Sequence, residues 1–243
     1  MAKEVQGKER VIPKEFFLGI EILEKNGLDL KTFRRLTKRG GDDKARRIVE
    51  ILNKPVSKYY EEIKSWEVFY LKYFNLPIDL QSISIPEKPK GEVGLLVIVP
   101  AISVDRVIRV MRKHFNVVMA VTGKEGKLHN TINYHGPYAG WTTMNKNPHR
   151  RLRGKFAIQA EENNLSGETL LERLIQGFKY WDGKKENLDE NYLTICSSSQ
   201  FANGGVPLVG TNPEKGIGGI IITQRTANTP HPRLGFREIT RLK

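Results

Sequence analysis

The span from Gly126 to Ala160 contains no carboxylate, yet it holds Lys127, Lys146, Arg150, Arg151, Arg153 and Lys155, with Tyr134, Tyr138 and Trp141 among them. Cations at this density neutralise phosphates, and flat rings beside them stack on unpaired bases, which is how single strands are usually held. Tyr138 and Trp141 are therefore the candidate stacking platforms, and Lys146, Arg150, Arg151, Arg153 and Lys155 the candidate phosphate contacts. The plainer alternative buries the rings beneath a long loop and leaves the arginines solvated.

A second basic cluster lies earlier. Arg34, Arg35, Lys38 and Arg39 sit with Lys31, Lys44, Arg46 and Arg47 at the junction of two short helical patterns. Two such helices resemble a helix-turn-helix arrangement, in which the exposed end of one helix enters the major groove. Gly40-Gly41 is not the usual turn, and Glu21, Glu24, Asp29, Asp42, Asp43 and Glu50 dilute the charge, so a solvated bundle face is the competing reading.

A third candidate is the run from Ser197 to Gly205. Hydroxyls of Ser197, Ser198 and Ser199 and backbone N–H groups around Gly204 and Gly205 are the parts of an anion nest. The glycine spacing and the Lys-Ser/Thr pair of a Walker loop are missing. A hairpin loop, with Asn203-Gly204 supplying positive φ, explains the same residues.

Other chemistry is thinly represented. Cys196 ends an apolar strand pattern and carries no flanking nucleophile motif, so it reads as a small core residue rather than a partner for His114, His135, His149 or His231. The five histidines show no metal-ligand spacing. Glu161-Glu162 and Asp189-Glu190 are adjacent pairs whose side chains diverge, and they read as solvated faces. No catalytic residue, metal or cofactor is implied.

The elements that must position these residues fall into two parts. Up to about residue 75 the apolar spacing is helical, ending with Tyr59, Tyr60, Ile63, Trp66, Phe69, Tyr70 and Tyr73 on one helix. Residues 76–92 form a proline-punctuated connector. From residue 93 the pattern changes to an α+β domain. Leu95–Val99 is a buried strand, Ser103 caps a helix reaching about His114, and Val117–Val121 is a second strand, an order that suggests a βαβ unit in a mixed sheet. Residues 123–155 are poorly patterned. Ser166 opens the clearest helix, with Leu170, Leu171, Leu174, Ile175 and Phe178 on its buried face and Asp182-Gly183 at its end. Strands follow at Tyr192–Cys196, Val206–Val209 and Gly218–Thr223. The last residues, with Arg225, His231, Arg233, Arg237, Arg241 and Lys243, read as a basic arm or a loose terminus.

The segment Thr169–Leu174, followed by Leu193–Ser199 and then Gly204-Gly205-Val206-Pro207, resembles a family of hypothetical proteins abundant in small-genome candidate-phylum bacteria. There a similar helix leads to a strand and loop of the form TLCSGSR…DGRVP. The stretch IPEKPKGEVGLLVIVP and the helix ending Lys113-His114-Phe115 also fit, so the resemblance covers about residues 68 to 209. It implies a shared domain and no activity. Ser198 and Gln200 stand where that family has Gly and Arg, which weakens an arginine-based anion site at the loop. The end after Gly210 also lacks the family's tryptophan-containing strand.

Composition narrows the function classes. The 243 residues carry 40 Lys and Arg against 27 Asp and Glu, a formal net charge of +13, which favours polyanionic partners. No apolar run approaches the roughly 18 residues that span a bilayer, and the charged start is unlike a secretory leader. One cysteine excludes an internal disulfide framework. The expectation is a cytoplasmic, non-enzymatic nucleic-acid-binding protein, DNA or RNA, with no membrane association. Two alternatives stand beside it. One is an enzyme on a phosphorylated or nucleotide substrate using the Ser197–Gly205 loop. The other is a scaffold or assembly subunit of mobile-element origin.

Overall fold

The computed structural model describes residues 58–89, 94–121, 127–130, 136–143, 166–211, 219–226 and 233–242. Two compact units divide the chain after Lys58, and the second, Tyr59–Lys243, holds every element named below. The helical patterns before residue 58 lie outside the described residues.

Helix α1 spans Tyr60–Phe74, with Glu61 and Glu62 in its first turn and Lys72 in its last, as the helix dipole favours. Asn75 ends it in the left-handed region at φ 47°, its N–H donating to Tyr70 O. Ile63, Trp66, Phe69, Tyr70 and Phe74 make the buried stripe. Strand β1, Gly94–Val99, follows. Ser103 then caps α2, Val104–Met111, by accepting from Arg106 N at 3.2 Å.

The remaining elements are β2 (Asn116–Met119), β3 (Leu128–Asn130), β4 (Tyr138–Thr143), α3 (Leu170–Lys184), β5 (Leu193–Ile195), β6 (Ser199–Phe201), β7 (Val206–Thr211), β8 (Gly219–Arg225), β9 (Leu234–Phe236) and β10 (Ile239–Arg241). They form an antiparallel sheet β1-β4-β10, a mixed sheet β2-β8-β7-β5-β9 and a small pair β3-β6. The α+β class is as the sequence indicates. The strand–helix–strand order is also present, but β1 and β2 enter different sheets. One edge of β1 is taken by β4, with Leu96 opposite Trp141. The other edge is closed by α1, where Trp66 Nε1 donates to Leu96 O at 3.1 Å and the Tyr70 hydroxyl donates to Ile98 O. With both edges occupied, β2 pairs in parallel with β8 instead.

Helix α3 packs on β1, β7 and α2 and so lies between the two larger sheets. Its Phe178 centres an aromatic cluster, 4.6 Å from the Tyr73 ring, 5.3 Å from Phe69 and 5.5 Å from Phe115. Burial of these rings is a large part of what fixes α1 and α2 against α3. The helix that the sequence groups with the residues before it is thus built into the core of the second unit. No helix among the described residues is long and apolar enough to cross a membrane.

The last two strands tie the sheets together. β9 lies parallel to β5 in the mixed sheet, and β10 lies antiparallel to β4 in the other. Only Arg237 and Glu238 separate them, and Glu238 bridges Gly167 just before α3. The expected loose basic arm is therefore corrected over residues 233–241, which are built into both sheets.

Candidate functional site

The densest chemistry in the described residues gathers where that link meets the first turns of α3. The helix begins at Leu170 rather than at Ser166, because Thr169 is the cap. Thr169 Oγ1 accepts from Glu172 N at 3.2 Å, and Glu172 Oε2 accepts from Thr169 N at 2.6 Å, a reciprocal capping box. Arg241 of β10 closes on the same carboxylate, with Nε donating to Oε1 at 2.7 Å, and it also donates to Gly167 O at 2.8 Å.

Beyond the far end of α3, Asp189 occupies a turn at φ 64°. An aspartate tolerates that region better than most residues. It is fully buried, and it receives Arg173 from α3, Arg237 from the link and the Thr194 hydroxyl from β5. Its own carbonyl accepts from Thr211 Oγ1 of β7 at 3.2 Å. Asp189 is thus the junction of one helix, two strands and the inter-sheet link. The reading of Asp189 as part of a solvated pair is overturned: its partners lie up to 48 residues away, so no local pattern marks it.

Burial alone would raise the Asp189 carboxyl, but the Arg173 and Arg237 charges and the hydrogen bonds hold it below the usual range. Glu168 behaves in the opposite way. It is fully buried, and neither oxygen has a hydrogen-bond partner among the described residues. Burial pushes its carboxyl up to about 8, against the pull of Arg237 and Arg173. Near neutral pH it is mostly the uncharged acid. Cys196 is likewise fully buried, and burial pushes its thiol well up, as suits a core cysteine rather than a thiolate nucleophile. The cleft between α1 and α3 and the small cavity beneath α3 are lined by other residues, so neither brings solvent to Glu168. The cluster holds the inter-sheet corner, its charges directed at one another.

A different constellation faces solvent. The C-terminal ends of α1, α2 and α3 come together around Tyr73, His114 and Trp181, with His114 5.2 Å from the Tyr73 ring and 5.9 Å from Trp181. Exposed cations stand on the same helix ends: Lys72 on α1, Arg109, Arg112 and Lys113 on and after α2, and Lys184 and Lys185 on and after α3. Lys185 Nζ stands 4.2 Å from the Trp181 ring centre. Asp182 tempers the surface, accepting from Lys72 at 2.8 Å and from the Tyr73 hydroxyl at 2.6 Å. Cations at helix C-termini complement the dipole, which is reason enough for single ones. The packing of three such ends side by side is a feature of the fold.

The residues singled out by sequence fare unevenly. Arg34, Arg35, Lys38, Arg39, Lys146, Arg150, Arg151, Arg153 and Lys155 lie outside the described residues. Trp141 is not a stacking platform: it is buried on β4, its Nε1 donating to Pro86 O at 2.8 Å. Tyr138, on the same strand, is half-buried, and burial followed by the Glu172 charge raises its phenol. The strand pairing of β4 with β1 turns both rings away from the role expected of them.

The Ser197–Gly205 run is also not an open nest. Ser198 Oγ donates to Gly167 O at 2.7 Å, and Ser199 Oγ donates to Asn130 Oδ1 at 2.7 Å while accepting from Leu170 N at 2.9 Å. Gly204 N donates to Phe201 O at 2.9 Å and Gly205 N to Asn203 Oδ1 at 3.0 Å. Gly204 has φ 82°, the left-handed value a tight turn demands. The donors an anion would need are engaged within the turn, and Ser197 Oγ lies over Gly167.

Compared with known proteins, the chain matches no family model, no curated protein and no solved structure.

Proposed function

We propose that the chain is a non-enzymatic nucleic-acid-binding protein that works mainly by electrostatic attraction. The observation that carries this reading is where the charge is not. The buried cluster sets Arg173, Arg237 and Arg241 against Glu172 and Asp189, with Glu168 mostly uncharged, so it carries only about one unit of the positive excess. Nearly all of the +13 excess therefore lies outside it, available to a polyanion. The converging helix ends, with Arg109, Arg112, Lys113, Lys184 and Lys185, supply one part of that surface. The sequence offers further cations in the 31–47 and 146–155 stretches, which lie outside the described residues. The one cysteine is a core residue, which suits a reducing compartment, and the cytoplasm is the location we assign.

The test is fluorescence anisotropy with short single- and double-stranded DNA and RNA across a salt series. The logarithm of the binding constant falls linearly with the logarithm of salt, with a slope that counts the phosphates neutralised. Arg112→Ala/Lys113→Ala reduces that slope by about one per lost contact. Arg150→Ala/Arg151→Ala and Arg34→Ala/Arg35→Ala apportion the remainder. Absence of binding to every probe at low salt removes the proposal.

A further inference from the structure

Between α1 and α3, over the start of β1, the structure opens a cleft of about 400 Å³. Cavities of this size hold small organic molecules. Its walls are apolar, formed by Trp66 of α1 and by Leu95 and Leu96 of β1. Gln176 of α3 lines it from below. That side chain is 1 % exposed, donates Nε2 to Thr142 Oγ1, and leaves Oε1 without a hydrogen-bond partner among the described residues.

Two lysines also line this cleft, Lys179 and Lys184. Lys179 lies one turn beyond Gln176, with Nζ 5.4 Å from the Trp66 ring centre and 5.2 Å from Phe69. It donates to Ser65 O at 2.8 Å and to Ser65 Oγ at 2.7 Å. Burial against these rings lowers its ammonium to about 8; Asp182 acts in the opposite sense and Lys72 adds to the lowering. Glu61 and Glu62 of α1 and Lys184 of α3 stand among the lining residues. Two carboxylates at a cleft disfavour an anionic guest and leave a neutral one untouched.

We infer that this cleft binds a small, largely apolar carbonyl compound, and that Lys179 forms an imine with it. The hydrocarbon body packs on Trp66, Leu95 and Leu96. In the step itself the neutral amine of Lys179 adds to the carbonyl carbon, forming a C–N bond. The carbonyl oxygen takes one proton from the nitrogen and one from the solvent and leaves as water, and the nitrogen keeps its other N–H in the protonated imine. That N–H still satisfies a Ser65 oxygen, so the bond forms without orphaning the partner the amine had before. No oxidant, reductant or second substrate is required.

The experiment treats the full chain at pH 7 with benzaldehyde and cyanoborohydride, which reduces an imine as it forms, and maps the adduct by peptide mass spectrometry. A single predominant adduct at Lys179 is expected, about tenfold or more over the exposed lysines, because ordinary lysines are almost wholly protonated at that pH. Lys179→Arg abolishes it. Labelling spread over the exposed lysines, or undiminished in a folded Lys179→Arg variant, overturns the inference.

Discussion

Arg173 grips Asp189 by one oxygen only: its Nε and Nη2 both donate to Oδ2, at 3.1 and 2.8 Å, leaving Oδ1 to Arg237. One carboxylate thereby locks a helix to the link between two sheets. Asp189→Ala strands two buried guanidinium groups, and breaking a buried pair in this way costs about 3–5 kcal/mol. The midpoint of denaturant unfolding falls accordingly, with the slope unchanged. A loss of less than about 1 kcal/mol would show that water replaces the carboxylate at little cost.

Glu168 gives the fold a pH dependence of determinate sign. Its carboxyl is raised to about 8 in the fold from an ordinary 4.5, so between these values the native state binds more protons than the unfolded chain. Stability from this group is full below the lower value and is lost progressively as pH rises to the upper one, by a few kcal/mol in all. Glu168→Gln removes the slope, making the variant the more stable protein near pH 8 and about equal to the parent near pH 5. Asp189 has the opposite sense: its carboxyl is depressed, so its stability is lost as pH falls through the folded value. The acid limb therefore survives in Glu168→Gln. Urea melts from about pH 5 to pH 9 measure the Glu168 limb, and melts continued down to about pH 2 measure the Asp189 limb; parallel curves for the two proteins between about pH 5 and pH 9 would contradict the assignment.

The open edge of β1 is sealed by side chains rather than by a strand. Burial keeps the Tyr70 phenol well above its usual value, so it remains a donor to Ile98 O across the working pH range. Tyr70→Phe leaves that buried carbonyl unmet and costs about 1–3 kcal/mol. Trp66→Phe, which exposes Leu96 O in the same way, has a comparable effect. The pair combined is less than additive if the two donors act as one seal, which a double-mutant cycle by thermal unfolding reads directly.

Gly167 is fixed by crowding. A Cβ there would lie 1.9 Å from Ser197 Oγ and 2.7 Å from Phe236 Cε2. Gly167→Ala is expected to destabilise by about 1–3 kcal/mol, as overpacking does. Adding Ser197→Ala recovers only part of the loss, since the Phe236 ring remains in the way. Full recovery in the double variant would place the whole conflict at the serine.

The elements legible in the sequence were those whose local pattern and tertiary role agree. Helix α1 follows its apolar spacing, α2 its Ser103 cap, and β1, β7 and β8 their runs of branched residues. Strand β4 was missed because Gly140 and its polar neighbours resemble loop signals. Gly140 is there because a Cβ would press within 2.8 Å of Ile239 Cδ1, a requirement set by β10, about a hundred residues later. The buried ionic cluster was missed for a related reason. Arginine and aspartate read as surface residues one at a time, and Arg173, Asp189 and Arg237 become core residues only as a set. The aromatic residues Tyr138 and Trp141 were found as a constellation but misread, since sequence gives their proximity to cations and not the strand that buries them.

Because β9 and β10 occupy both larger sheets, the compact unit cannot close until residue 241 has left the ribosome. Until then β4 and β5 each present an unpaired edge, and Asp189 lacks one of its two arginines. A nascent chain in that state exposes the edges that invite pairing with other chains. Strands β9 and β10 therefore act as a latch on synthesis, and a stop codon anywhere from residue 234 to residue 239 is expected to yield insoluble product rather than a shortened working protein.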